Sequence, residues 1–264
     1  MKVAICGRSG RYTLDHPLLA GDNRLINNSG KSSLLGTLLR CLDLTSGTVI
    51  IDGQDITRVS RDSLRKRFMT LPQKALFINA SIRENMTLWD EDSSRPQEYT
   101  DALIESALKR VGIWDALFTR KTSKKVEPSS DLEVSASDSE IDIKEPDAVT
   151  LESNLDPEER LSIGQQQLFC LARALFQQSS SQIVLMDEFT SSMDHETEML
   201  VRKIIKQDLK QKTVIEVIHR LQHILDFDLV VVVDKGRIAE SGHPADLLRK
   251  ETGLLRELYL AANT

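Results

Sequence analysis

The chain has 264 residues, 40% of them hydrophobic and 28% charged, enough apolar content to build one large α/β core. No apolar run approaches the roughly 18 residues a bilayer-crossing helix needs; the strongest, residues 229–233, is bounded by Asp228 and Asp234. Of the net charge of −6, residues 121–160 carry −7 (twelve acidic, five basic), which leaves +1 for the rest and no basic stripe to suggest a nucleic-acid partner.

Lys2–Cys6 reads as a short buried strand and residues 31–41 as a helix with leucines along one side. Residues 48–52 form a second strand, closed by the turn dipeptide Asp52-Gly53. A short helix is predicted over 60–67 and a strand over Phe68–Leu71, halted by Pro72. Residues 98–111 have a clear helical period, with Leu103, Ile104, Ala107 and Leu108 near one face. Residues 120–156 are rich in Ser, Asp, Glu and Lys. They bury too little apolar surface to offset the entropy of ordering, so an acidic mobile linker is expected. Regular structure resumes with a helix over 163–177, a wholly apolar strand over 183–186, a long helix over 196–210 and strands over 213–218 and 230–233. A turn at Asp234-Lys235-Gly236 and two short helices, over 244–250 and Leu254–Ala262, complete the chain. Alternating helices and wholly apolar strands predict a mostly parallel sheet covered on both faces.

Cys6, Cys41 and Cys170 stand singly inside apolar segments, with no CxxC pair and no His cluster, and read as buried reduced thiols of a cytosolic protein. Met1-Lys2-Val3 leads directly into a strand, without the pattern of a signal peptide.

Three stretches carry chemistry. Ser29-Gly30-Lys31-Ser32-Ser33 opens a helix, where backbone N–H groups meet an anion, a lysine neutralises phosphate and a serine hydroxyl ligates Mg²⁺. Alone, such a triplet is as readily a helix start without a ligand. The strand at 183–186 delivers Asp187 and Glu188 to its C-terminal end, where open α/β sheets bind ligands. Asp187 would hold Mg²⁺ and Glu188 polarise a water, although a solvated acidic turn would look the same. The third stretch, Leu161-Ser162-Ile163-Gly164-Gln165, precedes the helix Gln166-Gln167-Leu168-Phe169-Cys170-Leu171-Ala172-Arg173-Ala174-Leu175.

That phrase closely resembles the ABC-transporter signature, LSGGQ followed by a Q-L-x-x-L-A-R-A-L helix. The resemblance extends to other positions, in the family's order. Gln73 matches the Q-loop glutamine, and Ser191-Ser192-Met193-Asp194 resembles the D-loop. His219 stands where the family has the histidine that contacts the γ-phosphate. The retained Glu188 together with the drifted Ile163 most resembles the second ATPase domain of fungal C-type multidrug-resistance-associated exporters.

The resemblance implies a P-loop NTPase (RecA-like) α/β fold with a helical subdomain. It implies ATP and Mg²⁺ as ligands, bound by Gly7, Gly10, Ser29, Gly30, Lys31, Ser32, Ser33 and Gln73, with Ser32, Gln73 and Asp187 on the metal. Glu188 and His219 would be catalytic. Residues Leu161 to Gln165, with Asp194 in the D-loop, would meet the ATP of a second such domain. The implied partners are that second domain and transmembrane domains, with this chain at the cytoplasmic face of a membrane. Two alternatives are a weakly ATP-binding remnant of such a gene and a soluble ABC-type ATPase of DNA repair or translation. The second would need coiled-coil arms or a basic face, and the sequence has neither.

Two departures from the family pattern stand out. Its phosphate loop, G-x-x-x-x-G-K-S, has four residues between the glycines, whereas residues 8–29 separate Gly7 from Gly30 here. Removing residues 11–28 leaves GRSGSGKSS, an intact motif. An intron beginning inside the codon of Arg11 and ending inside that of Ser29 would be in frame, and its removal would leave one Ser codon; the competing reading is a genuine lineage-specific loop. The family also has β-strands and an adenine-stacking aromatic residue before the phosphate loop, and these are expected to be missing here.

Overall fold

The computed structural model describes residues 1–7, 30–88, 96–118, 149–177 and 181–262. Its centre is a six-stranded sheet. Five strands are parallel: β1 (Lys2–Cys6), β4 (Phe68–Leu71), β5 (Ile183–Asp187), β6 (Thr213–Val217) and β7 (Leu229–Asp234). The sixth, β8 (Arg237–Gly242), pairs antiparallel with β7, so the order is β4-β5-β6-β1-β7-β8. A separate two-stranded hairpin joins β2 (Ile50–Ile51) to β3 (Gln54–Asp55).

The central strands are apolar throughout because both faces are covered. In β1, Ile5 points into a cluster with Leu35, Ile56, Leu64, Leu185 and Val217, while Ala4 and Cys6 face Ile224, Val230, Val232 and Leu255. Helices α1 (Lys31–Leu38) and α2 (Arg61–Arg65) belong to the first face. On the opposite face lie α7 (Ile163–Phe176), α8 (His195–Asp208), α9 (Pro244–Arg249) and α10 (Leu254–Ala262). Between β4 and β5 the chain inserts a helical layer of α3 (Ile82–Met86), α4 (Gln97–Arg110), α5 (Trp114–Phe118) and α6 (Pro157–Arg160), packed on α7 around Ile104, Leu108, Ile113 and Phe169. No helix of the described residues is long and apolar enough to cross a membrane.

Several expectations need adjustment. The strand expected over 48–52 is the β2–β3 hairpin, because Asp52 (φ 50°) and Gly53 (φ 75°) turn the chain back on itself. Helix α1 ends at Leu38; Arg40 then takes φ 51° and its guanidinium donates to the carbonyls of Ile56 and Val59. β8 is unforeseen, since an edge strand with no buried residue reads as loop by composition, and Cys41, expected to be buried, is exposed in the turns after α1. The expected linker of 120–156 does not extend to its C-terminal bound. Leu155 is buried, its N–H donates to the carbonyl of Ala80, and the carbonyls of Leu151 and Ser153 accept from Arg83 and Ile82. These backbone bonds hold a segment whose side chains alone do not advertise order. The rest of that linker, and the insert at 11–28, lie outside the described residues.

Glu216 is an unusual core residue. It stands in the middle of β6, 4% exposed, at the wall of a cavity of about 550 Å³ also lined by Met199, Arg202, Val214, His223 and Phe227. Burial pushes its carboxyl up to about 7, against the pull of Arg202 and with a further push from Glu198. The folded chain therefore holds a proton there that the unfolded chain releases near the ordinary glutamate value. Stability associated with this group is present at low pH and is lost as pH rises from about 4.5 to about 7. A Glu216→Gln variant is expected to melt above the parent at pH 8 and to converge with it near pH 5; parallel melting curves across that range would contradict the assignment.

Candidate active site

The C-terminal ends of β1, β4, β5 and β6 and the start of α1 converge on one place. Gly7 follows β1, and a Cβ there would stand 1.9 Å from the carbonyl oxygen of Val233, so the close strand packing requires glycine. Gly30, at φ 92°, turns the chain into α1, again a conformation that suits glycine, and its carbonyl accepts from the N–H of Leu34. Lys31 is the first residue of the helix and only 2% exposed. Desolvation lowers its pKa, opposed by Glu188, Cys6 and Asp187. The hydroxyl of Ser32 donates to Asp187 Oδ1 at 3.1 Å. Ser33 is half-buried on the same turn, and its carbonyl accepts from the hydroxyl of Thr37 at 2.9 Å. Gly10 and Ser29 lie outside the described residues.

Asp187 ends β5. Desolvation raises its pKa and Glu188 adds to the rise, while the Ser32 bond, His219 and Lys31 oppose it. Glu188, the next residue, has φ 48°, a left-handed conformation rare for a side chain of this size. It is locked there because its N–H extends the sheet by donating to the carbonyl of Val217, and its carbonyl accepts from Ser191. The strained turn aims its carboxylate between two partners: Gln73 Nε2 donates to Oε2 at 2.9 Å, and His219 Nε2 lies 2.5 Å from Oε1. A carboxylate only accepts, so in this pairing the imidazole proton sits on Nε2.

Five residues from four separate segments are thus gathered by the parallel topology: Lys31, Gln73, Asp187 with Glu188, and His219. The donors presented by Ser32, Gln73 and Asp187 are all oxygens in combination with a lysine, which suits a hard divalent cation bound together with phosphate oxygens. A half-buried Asp187 whose pKa is raised by desolvation is a group that a cation would relieve. The residues present therefore fit Mg²⁺ with a nucleotide triphosphate.

The signature residues take a different position. Ser162 caps α7 in a reciprocal capping box: its hydroxyl accepts from Gln165 N–H at 3.3 Å and its own N–H donates to Gln165 Oε1 at 2.9 Å. Leu161 is buried and anchors the turn, Ile163 is 65% exposed, and Gly164 lies beside Thr197 at the start of α8. The helix N-terminus and Ile163 are thereby presented outward. Asp194 caps α8, both of its oxygens accepting from Thr197, which holds its carboxyl below the usual aspartate range. Sequence reading passed over Arg220, which donates from Nη2 to the carbonyl of Ser191 at 3.2 Å and so ties the segment before Asp194 to the residue after His219. It also passed over Asn85, wholly buried, which shapes the loop after Gln73. Its Oδ1 accepts from Ile78 N–H and its Nδ2 donates to Ile78, Ala80 and Ser81 carbonyls. Its neighbours Arg83, Glu84 and Thr87 are polar, so no local pattern in the sequence marks it.

Comparison with known proteins gives a consistent picture. A family model described as ABC transporter matches residues 26–191. An ABC-type transporter of Gibberella zeae is 36% identical over 258 residues, 98% of this chain and 14% of that protein. ABC multidrug transporter B of Aspergillus fumigatus is 34% identical over 261 residues, 99% of this chain and 14% of that protein. Among solved structures, that of a bacterial Atm1-family ABC exporter with ATP bound superposes with a TM-score of 0.72 at 27% identity, covering 99% of this chain and 36% of the exporter chain. The chain thus spans about one seventh of the length of these fungal relatives.

Proposed function

Because the chain belongs to the ABC transporter family, we propose that it binds and hydrolyses ATP as one nucleotide-binding domain of an exporter, at the cytoplasmic face of a membrane. The observation that carries this reading is Glu188, held in a left-handed turn between Gln73 and His219 and next to Lys31, Ser32 and Asp187.

In this reading the helix α1 N-terminus and Lys31 receive the β- and γ-phosphates, with Gly7, Gly10, Ser29, Gly30 and Ser33 supplying backbone or hydroxyl contacts. Ser32, Asp187 and Gln73 would hold Mg²⁺, which supplies charge neutralisation on the phosphates. Glu188 orients the attacking water, and His219, already bonded to it, reaches the γ-phosphate when nucleotide is present. Ser162, Ile163, Gly164 and Gln165, on a turn anchored by the buried Leu161, would complete the site of a partner domain, with Asp194 nearby, so hydrolysis needs two domains. The partners are that second nucleotide-binding domain and transmembrane domains. The combination of Ile163 with Glu188 supports placement as a second, hydrolysing domain of a C-type exporter.

Titration with Mg²⁺-ATP tests the reading. The parent chain is expected to bind, and Lys31→Ala to bind at least about tenfold more weakly with an unchanged far-ultraviolet spectrum, since a charge-assisted contact to phosphate is removed. Equal affinity in the two would refute the assignment of this cluster as the phosphate site.

A further inference from the structure

Helix α7 carries the signature at one end, and it is also bonded to the loop that follows β4. Gln167, 2% exposed, donates from Nε2 to the main-chain carbonyl of Gln73 at 2.5 Å. Further along the same helix Arg173, 3% exposed, donates from Nε to the carbonyl of Asn85 at 2.6 Å and from Nη1 to that of Leu76 at 2.9 Å. Its guanidinium also lies 5.7 Å and 5.5 Å from the rings of Phe77 and Phe169. Segment 73–85 is therefore tied to α7 at three carbonyls.

The ties differ in kind. Arg173 meets two carbonyls and two rings with one rigid plane, which fixes the far part of the loop as part of the fold. Gln167 makes a single bond, and it falls on the residue whose side chain reaches the site: Gln73 accepts from α7 with its carbonyl and donates to Glu188 with its amide. From Glu188 to the signature turn the path is thus Glu188, Gln73, Gln167 and one turn of helix to Ser162.

We propose that Gln167 is a positioning residue that latches Gln73 to the signature helix. The placement of the Gln73 amide on Glu188 and the placement of residues 162–165 then change together. This rests on reading the Glu188 cluster as an ATP-hydrolysing site. Lys31, Ser32 and Asp187, which make the other phosphate and metal contacts of the proposed site, are not part of the latch, so its effect on turnover should exceed its effect on nucleotide affinity. Gln167 Oε1 has no hydrogen-bond partner among the described residues. A leucine of similar volume removes that orphan along with the latch, so the fold should survive it.

The test uses the whole chain with Gln167→Leu, which is expected to bind Mg²⁺-ATP within threefold of the parent and to turn it over at least tenfold more slowly. Parent-like turnover in Gln167→Leu, or a proportional loss of binding and turnover, would overturn the latch. Should the parent neither bind nor hydrolyse Mg²⁺-ATP, the ATPase reading itself fails, and hydrogen exchange without nucleotide decides the latch. Faster exchange at residues 74–78 in Gln167→Leu, with α4 unchanged, supports it; identical exchange overturns it.

Discussion

A Glu188→Gln variant should retain Mg²⁺-ATP with little change in affinity and lose turnover by about 10²–10⁴-fold, the range for removing a general base. The argument is geometric. The carboxylate stands between Gln73 Nε2 at 2.9 Å and His219 Nε2 at 2.5 Å, in a backbone conformation that costs energy to hold. An amide of the same shape can still occupy the turn and can still pair with one neighbour, so the fold and the phosphate contacts of Lys31 and Ser32 remain. What it cannot do is accept a proton from water. Single-turnover hydrolysis with saturating Mg²⁺-ATP measures this directly. Turnover within threefold of the parent would remove Glu188 from the catalytic role, whereas an equal loss of affinity and turnover would assign it to binding.

Deleting residues 11–28 is the second large effect. Shortening the loop between the two halves of the phosphate motif from 22 residues to four changes the closure entropy by about (3/2)RT ln(22/4), about 1.5 kcal/mol. That converts to about a tenfold tighter dissociation constant for ATP if the whole gain appears in binding. In an uninterrupted motif the amides between the two glycines would turn onto the phosphates, and a 22-residue connection in place of four is the difference that the deletion removes. The family model's match begins at residue 26 and so includes only the second half of the motif. Equal constants for the parent and the deletion would show that the insert is neutral to binding. Sequencing the native transcript addresses its origin: we expect messages lacking codons 11–28, and a message that always retains them would establish a genuine loop.

The two variants probe different halves of the site, and their separation matters for interpretation. Glu188 is placed by β5, β6 and the loop after β4, none of which includes the insert. If the deletion restores affinity and Glu188→Gln abolishes turnover in the restored chain, the chain is an ATPase domain limited by its phosphate loop. If the deletion restores affinity without turnover in the parent background, a partner domain must supply the missing contacts, as the outward-facing Ser162 and Ile163 would require.

Much of this protein could be read from residue order. Unbroken apolarity in 183–186, and a run over 213–218 interrupted only by Thr213 and Glu216, placed two central strands because both faces of a buried parallel strand are apolar. Ser162 reads as a helix N-cap, and the structure adds Gln165 to it in a reciprocal capping box. Local chemistry of this kind is readable because its causes lie within one turn of the chain. Motif order likewise indicated that Lys31, Asp187, Glu188 and His219 belong to one centre.

Other features depended on residues far apart in sequence. β8 exists because β7 offers it an edge, not because residues 237–242 favour a strand. Leu151 to Leu155 are ordered by carbonyls accepting from Ile82 and Arg83, about 70 residues earlier. Residue order is enough for the strand–helix alternation, for the Ser162 cap and for the inventory of chemical groups, since each follows from periodicity or from a side chain acting on its own turn. It took the packed chain to set Glu188 in strain between Gln73 and His219, to bring Gln167 to the Gln73 carbonyl and to turn a buried Glu216 to a cavity. Those outcomes depend on where the parallel sheet sets its strand ends and what the inserted helices pack against, and no local pattern encodes either.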